Sequence, residues 1–372
     1  MKESQQIMMP HSEVKIRLLK LYLERYLNVL TQSKYFGDIN LYDLFCGEGI
    51  YEGEGKGSPI VILETIKEIF YANKSSGNST DKFHCLFNDI EKWKVEKLQN
   101  EISKRNLHYS EIGKLRFSQK DYKTLVPEVA QEIAGLKKQK AFIFIDPYGY
   151  KEIKATDIKT LLQSNKSEVL LFLPTQFMFR FETKGTPECL IDFIAELMPI
   201  EKWPVSETGI DFIENLTDAF REYLGKDYFV DSFIITRDKN QFFCLFFFTS
   251  HIYGFDRMLD AKWKIDEEDG RGWDYNIENS LFSSVQKTAN TEKFEKKLIE
   301  FLKEERTNGE LYEFRVHNAH LANHANEILI KFQKGGKLIS LKQDGTPARK
   351  SSFYLSYKDY RDQPKKIKIR LK

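Results

Sequence analysis

The sequence predicts an α/β chain, a mostly parallel sheet covered by helices on both faces, followed by a small basic domain. Three observations predict it. Short β-rich runs alternate with helical patterns from residue 39 to residue 173; an amphipathic helix precedes the first run; and pattern and charge both change near residue 285. Parallel strands cannot be joined by a tight turn, so strands alternating with helices of this length form βαβ units.

Residues 12–32 place Ile16, Leu19, Leu23, Tyr26, Leu27 and Leu30 on one helical face. The β-rich runs follow at 39–45, 83–88, 115–118, 141–145 and 168–173. Ser58-Pro59 has the chemistry of an N-cap followed by an N1 proline, and Asp121 precedes its helix as a cap. Residues 174–225 carry mostly helical signals and are expected as an insertion over a substrate cleft. Two runs at 228–236 and 242–248, joined by a short polar turn, are expected as an antiparallel hairpin on the sheet's edge. Their Tyr and Phe richness belongs to core strand.

The stretches 266–272 and 278–290 are acidic or polar and are expected as boundary and linker, dividing the chain into 1–285 and 286–372. In the second part, 294–306 and 320–336 are helical, the latter ending at Gly335-Gly336, and 337–357 is expected as a hairpin with Asp344-Gly345 at its tip. Helix, helix and β-wing is the order of a winged-helix domain, which serves in nucleic-acid binding and as a protein adaptor.

Charge is divided unevenly. From Gln286 onward there are 20 Lys plus Arg against 11 Asp plus Glu, and the preceding part holds 37 against 44. The tail is the part suited to a polyanion, with Lys337, Lys342, Arg349, Lys350 and the terminal KKIKIRLK as phosphate contacts or as solvated surface. A composition of 41% hydrophobic, 14% aromatic and 30% charged residues is globular rather than disordered. No apolar run approaches the roughly 18 residues that span a bilayer, so no membrane partner is expected and a cytoplasmic setting is. Cys46, Cys85, Cys189 and Cys244 are scattered without a C-x-x-C pair and are expected as small buried hydrophobes. His317, His320 and His324 share a helical face without a supporting carboxylate or thiol, so no metal is assigned.

The chemistry-bearing residues gather at strand ends. Asp43-Leu44-Phe45-Cys46-Gly47-Glu48-Gly49 closes the first run, where Gly47 and Gly49 permit a sharp turn and close ligand approach. Position 52 is Glu, which departs from the dinucleotide fingerprint, and Gly55-Lys56-Gly57-Ser58 departs from a phosphate loop. An acidic loop instead suits a cofactor without phosphates that carries a sulfonium and an amino group, S-adenosylmethionine. Asp89 ends the second run, where a carboxylate accepts from ribose hydroxyls. Asp121-Tyr122 follows the third, placed for an adenine amino group and ring, or in the case of Asp121 for a helix cap. Asp146-Pro147-Tyr148-Gly149 follows the fourth. Ligands of open α/β sheets bind outside the carboxyl ends of the strands, so these sites converge on one crevice.

Asp146-Pro147-Tyr148-Gly149 resembles the fourth motif of amino-methylating nucleic-acid methyltransferases, with the tyrosine third rather than fourth, as in tRNA guanine-N2 dimethyltransferases. The resemblance implies that the Asp146 carboxylate and the Pro147 carbonyl hold an exocyclic amine while Tyr148 stacks on the base. With NLYDLFCGEGIYEGEGKGSP, FNDIEKW, FIFIDPYGYKEI and the N-terminal helix bearing Lys15, the chain is similar over about residues 12–285 to the three-Cys-motif partner family. That likeness implies a Rossmann-like class I methyltransferase sheet, S-adenosylmethionine held by Asp43, Phe45, Gly47, Gly49, Asp89, Asp121 and Tyr122, an RNA or DNA substrate, and a partner protein with three cysteines. A different class of function is also open, a non-catalytic nucleic-acid- or partner-binding subunit on the same scaffold in a bacterial repair or phage-defence pathway.

Overall fold

The computed structural model of the chain describes residues 8–77, 82–183, 188–238, 241–275 and 287–372. It divides into two compact units, Met1–Gly254 with Arg271–Ser283, and Phe255–Gly270 with Ser284–Lys372. The sequence led us to expect one boundary at 285/286; the backbone instead crosses between the units three times. Most of the polar linker 278–290 and the tip of the 237–241 turn lie outside the described residues.

The first unit is built on eight strands: β1 (Ile39–Asp43), β2 (Phe83–Asn88), β3 (Leu115–Ser118), β4 (Lys140–Ile145), β5 (Ser167–Leu173), β6 (Phe229–Asp238), β7 (Gln241–Thr249) and β8 (Gly272–Asp274). Their order across the sheet is β3-β2-β1-β4-β5-β7-β6-β8. Only the pairings made by β7 are antiparallel; all the others are parallel. The five β-rich runs therefore form the parallel core as expected. The strand order turns back between β1 and β4, which opens a crevice at their carboxyl ends.

Every residue of β1 and of β5 is buried, because helices cover both faces and leave no solvent side to encode as alternation. The covering helices are α1 (Pro10–Thr31), α2 (Ser58–Ser75), α3 (Lys92–Lys104), α4 (Tyr122–Gly135), α5 (Ala155–Leu162), α6 (Thr175–Thr183), α7 (Glu188–Leu197) and α8 (Gly209–Leu224); α9 (Ile252–Trp263) belongs from Phe255 onward to the second unit. The face expected of the first helix is the one α1 buries, from Ile16 to Leu30. The expected helical insertion at 174–225 is α6 to α8, and α8 starts with a reciprocal capping box between Thr208 and Asp211.

Two expectations in this unit are corrected. Ser58 is not the cap of α2: the N-cap is Gly57, whose N–H donates to the Gly49 carbonyl at 2.7 Å, leaving the Ser58 hydroxyl for the Asp43 side chain. The hairpin β6–β7 is not the sheet's edge either, since β7 lies beside β5 and β8 adds to β6 in parallel. Gly272 makes that addition possible, for a Cβ there would lie 2.5 Å from the Ile234 carbonyl oxygen.

The second unit holds α10 (Glu292–Phe301), α11 (Asn308–His317), α12 (Ala322–Lys334) and α13 (Tyr357–Asp362), with a three-stranded antiparallel sheet of β9 (Arg306–Thr307), β10 (Leu338–Lys342) and β11 (Ile367–Leu371) in the order β10-β11-β9. The expected hairpin over 337–357 forms around its tip, where the Lys342 N–H donates to the Thr346 carbonyl at 2.8 Å and the Ala348 N–H to the Ser340 carbonyl at 3.0 Å, and β10 takes β11 as a longer-range partner besides. The Asp344-Gly345 turn forms, with the Gly345 N–H donating to the Lys342 carbonyl at 3.0 Å, but outside the named strands the returning arm makes one bridge, at Pro347. The buried Ile367 and Ile369 of the tail belong to the strand that pairs with β10 along its full length. Helix α11 was not anticipated. Among the described residues no helix is long and apolar enough to cross a membrane. Cys46, Cys85 and Cys244 are buried and Cys189 is half-buried, and none of the four is in a disulfide among the described residues.

Candidate functional site

A cavity of about 230 Å³ opens at the carboxyl ends of β1 and β4, walled also by the first turns of α1 and α2. The turn after β1 sets its floor. Gly47 and Gly49 have φ of +59° and +79°, a left-handed backbone that side chains disfavour. A Cβ on Gly49 would come within 2.4 Å of the Leu98 Cδ1, whereas one on Gly47 would meet nothing within 4 Å. Gly49 is thus fixed by packing, and Gly47 leaves open space over its backbone. Beyond Gly49 the chain doubles back, the Tyr51 N–H donating to the Gly55 carbonyl at 2.8 Å, which places Tyr51 in the cavity wall.

Across the cavity, α1 contributes His11, Ser12, Lys15 and Ile16. Lys15 is buried, forms an ion pair with Asp146, and holds its ammonium 4.4 Å from the centre of the Phe172 ring. Burial pulls the Lys15 ammonium down, but the Asp146 carboxylate outweighs it and the net shift is upward. Lys15 is therefore a fixed cation, not a proton acceptor. The His11 ring stacks on Phe243 at 4.5 Å between centroids with 11° between planes. Burial, with help from Lys15 and Arg237, lowers its imidazole to about 4, so it is neutral at physiological pH.

Asp43 is fully buried; its Oδ1 accepts from the Phe45 N–H at 3.3 Å and its Oδ2 has no hydrogen-bond partner. Burial pushes its carboxyl up to about 7, against the opposing hydrogen bond from Ser58 and with a further rise from Asp146. Asp89 is also buried. Its Oδ1 accepts from the Glu91 N–H at 2.9 Å, while its Oδ2 has no hydrogen-bond partner and lies 3.9 Å from Lys94 Nζ. Burial raises this carboxyl too.

The structure brings Phe45, Gly47, Gly49, Asp146, Pro147 and Tyr148 to one cavity. Asp43 and Asp89 lie behind that lining, each at the end of its strand. Asp121 and Tyr122 are elsewhere. Asp121 is an exposed N-cap of α4, accepting from the Lys123 N–H at 2.9 Å. Tyr122 is core, its ring 5.1 Å from Phe45 and turned inward by the helix that Asp121 starts. Sequence reasoning missed His11 and Lys94, had Ser58 only as a helix cap, and had Lys15 and Tyr51 only through family likenesses. Polar or charged residues one helical turn apart on an apolar face, as His11, Ser12 and Lys15 are, were the available signal. The histidines of the second unit turn to aromatic neighbours, with His324 4.3 Å from Trp263 and His320 4.2 Å from Phe294.

Taken together, fold and crevice define a doubly wound, Rossmann-like α/β protein with a ligand cavity at its switch point. No family model matches the chain, and no curated protein matches it. Solved structures give distant likenesses. Protein LPL1258 from Legionella pneumophila is 12% identical, with 68% of this chain and 90% of that one covered, at a TM-score of 0.39. The O-methyltransferase from Bacillus cereus in complex with SAH is 11% identical, with 66% and 83% covered, at 0.36. The O-methyltransferase TomG from Streptomyces achromogenes in complex with SAM is 8% identical, with 65% and 91% covered, at 0.36. At such scores the fold rests on the strand order, and the site on its own geometry.

Proposed function

We propose that the chain is an S-adenosylmethionine-dependent methyltransferase acting on an exocyclic amine of a nucleic-acid base. One observation carries this reading: the Asp146-Pro147-Tyr148 segment after β4 and the glycine turn after β1 border the same cavity. The donor set fits the cofactor. Two buried carboxylates, Asp43 and Asp89, stand at the ends of adjacent strands, and the Oδ2 of each has no hydrogen-bond partner, with Lys94 Nζ 3.9 Å from that of Asp89. An ammonium and a pair of ribose hydroxyls are the donors that such oxygens lack. Asp43 would take the former and Asp89 the latter, with the 64% exposed Ile90 as an apolar face for a purine. Phe45, Gly47 and Gly49 would line its path.

When bound, S-adenosylmethionine supplies a methyl group already activated by a positive sulfur. The chain's task is to place the nucleophile. The Asp146 carboxylate and Pro147 carbonyl accept the two amine protons and aim the nitrogen lone pair, and Tyr148 stacks on the base. Lys15 fixes the Asp146 carboxylate in place.

The second unit we read as a winged-helix domain. Its exposed Lys342, at the end of β10, and Arg349 and Lys350, on the loop that follows, suit phosphates of RNA or DNA. A three-cysteine partner protein remains part of the proposal, as does a cytoplasmic setting.

The test is transfer of labelled methyl from S-adenosylmethionine to total RNA and DNA. Asp146→Ala should lower transfer at least about a hundredfold with the fold intact by circular dichroism. Absence of transfer to either nucleic acid, with and without a three-cysteine partner, would reject the reading. A non-catalytic subunit is the second reading, favoured by the acidic excess of the first 285 residues, 44 acids against 37 bases. Calorimetry separates the two, since an enzyme binds S-adenosylmethionine in the micromolar range or tighter.

A further inference from the structure

In the sheet β1 lies between β2 and β4, so the glycine turn at its end is flanked by the segments that follow those two strands. One contact runs across it. Lys94 Nζ, on α3 after β2, donates to the Tyr148 hydroxyl after β4 at 2.7 Å, with the ammonium 4.3 Å from the ring centre. Lys94 is 1% exposed and also donates to Glu91 Oε1 at 3.1 Å, while Tyr148 is 60% exposed and walls the cavity. On one side of this strap lie Lys15, Ser58 and Asp146, which line the cavity. Asp89, whose Oδ2 lies 3.9 Å from Lys94 Nζ at the other end of the strap, does not.

We propose that Lys94 is a positioning residue that holds Tyr148 across the crevice, as a gate between its Asp89 half and its Asp146 half. A ligand that touches both halves has to break the Lys94–Tyr148 bond and turn the ring outward. The same movement brings the ring to the cavity rim, where it can stack on a target base. Loading of one site thereby prepares the other. This inference rests on the S-adenosylmethionine reading, because that cofactor is long enough to reach both halves.

The experiment is stopped-flow and calorimetric binding of S-adenosylmethionine to the full chain and to Tyr148→Phe, which keeps the ring and loses the hydroxyl. Lys94→Met and Lys94→Arg are companion variants, with circular dichroism as the check on folding. A hydrogen bond to a charged donor holds the gate, so Tyr148→Phe should bind about tenfold faster or more. Lys94→Arg should restore part of the delay that Lys94→Met removes. Adenosine alone and methionine alone, each confined to one half, should bind Tyr148→Phe as they bind the wild type, and methionine alone should bind both Lys94 variants as it binds the wild type; a merely structural role for Lys94 would weaken methionine binding too. Wild-type rate and affinity in Tyr148→Phe, with the wild type binding well, would overturn the gate and leave the cofactor reading intact. Binding by Tyr148→Phe where the wild type shows none would support the gate. No binding by any of the proteins would remove both.

Discussion

At the scale of single residues, burial makes ordinary acids informative. Glu168 on β5 is buried with the Thr249 hydroxyl donating to Oε1 at 2.9 Å and the Tyr22 hydroxyl donating to Oε2. Burial still wins and lifts its carboxyl from 4.5 to about 7. A raised folded-state value means that the native protein holds this proton more tightly than the unfolded chain does. Its contribution is fully present below about pH 4.5 and is lost as the pH climbs through about 7. Between pH 5 and pH 8 this one group should cost about 2–3 kcal/mol of stability. Glu168→Gln should remove that part of the slope in urea unfolding at the two pH values. Parallel slopes in wild type and variant would show that Glu168 is not the titrating group. Asp43 follows the same physics, but its unpartnered oxygen lies behind the candidate cavity, which ties its ionisation to ligand rather than to folding alone.

At the scale of elements, the turn from β1 into α2 illustrates how two glycines with one backbone conformation differ in purpose. Gly49→Ala combines a left-handed backbone with a collision at 2.4 Å from the Leu98 Cδ1. It should cost about 2–4 kcal/mol of stability. Gly47→Ala carries only the backbone term, about 1 kcal/mol, because nothing stands within 4 Å of the new methyl group. That methyl would point into the space a ligand needs. Thermal denaturation with S-adenosylmethionine titration separates the two: Gly47→Ala should fold and lose binding, and Gly49→Ala should lose stability first. Equal destabilisation by both would contradict the packing assigned to Gly49. The helix missed in the sequence also belongs to this scale. Thr307 and Glu310 form a reciprocal capping box for α11, an S/T-x-x-E signal that stood in the sequence unread.

At the scale of the whole molecule, two units with separate cores imply two stabilities. In the second unit Arg315, 2% exposed, donates to both oxygens of the equally buried Asp256 at 2.6 and 3.0 Å, and the Tyr312 hydroxyl donates at 3.1 Å. Burial alone would raise the Asp256 carboxyl, yet Arg315 overrides it and the net shift is downward. Its stabilising contribution is therefore present above about pH 4 and lost as the pH falls further. Removing one partner strands a buried charge, so Arg315→Met should cost about 3–5 kcal/mol. Scanning calorimetry should then show an early transition for the second unit while the first keeps its own. A single unshifted transition would mean that this pair is not what holds the second core.

The sequence by itself determined the parallel core, because alternation of β-rich runs with helical faces is a local pattern that admits few topologies. It also placed acids and glycines at the strand ends, since chain order and strand direction alone put those residues on one edge of the sheet. Tertiary structure decided the rest. Whether Asp121 serves a ligand or a helix depends on where the first turn of α4 lies, and Tyr122 faces the core for the same reason. That β10 pairs with the tail strand β11 as well as with the arm at Pro347 joins segments some 20 residues apart. The pairings Lys15–Asp146 and Lys94–Tyr148 join residues 131 and 54 positions apart. No local pattern encodes such pairs, because the energy of a buried charge is set by what the folded chain brings to it.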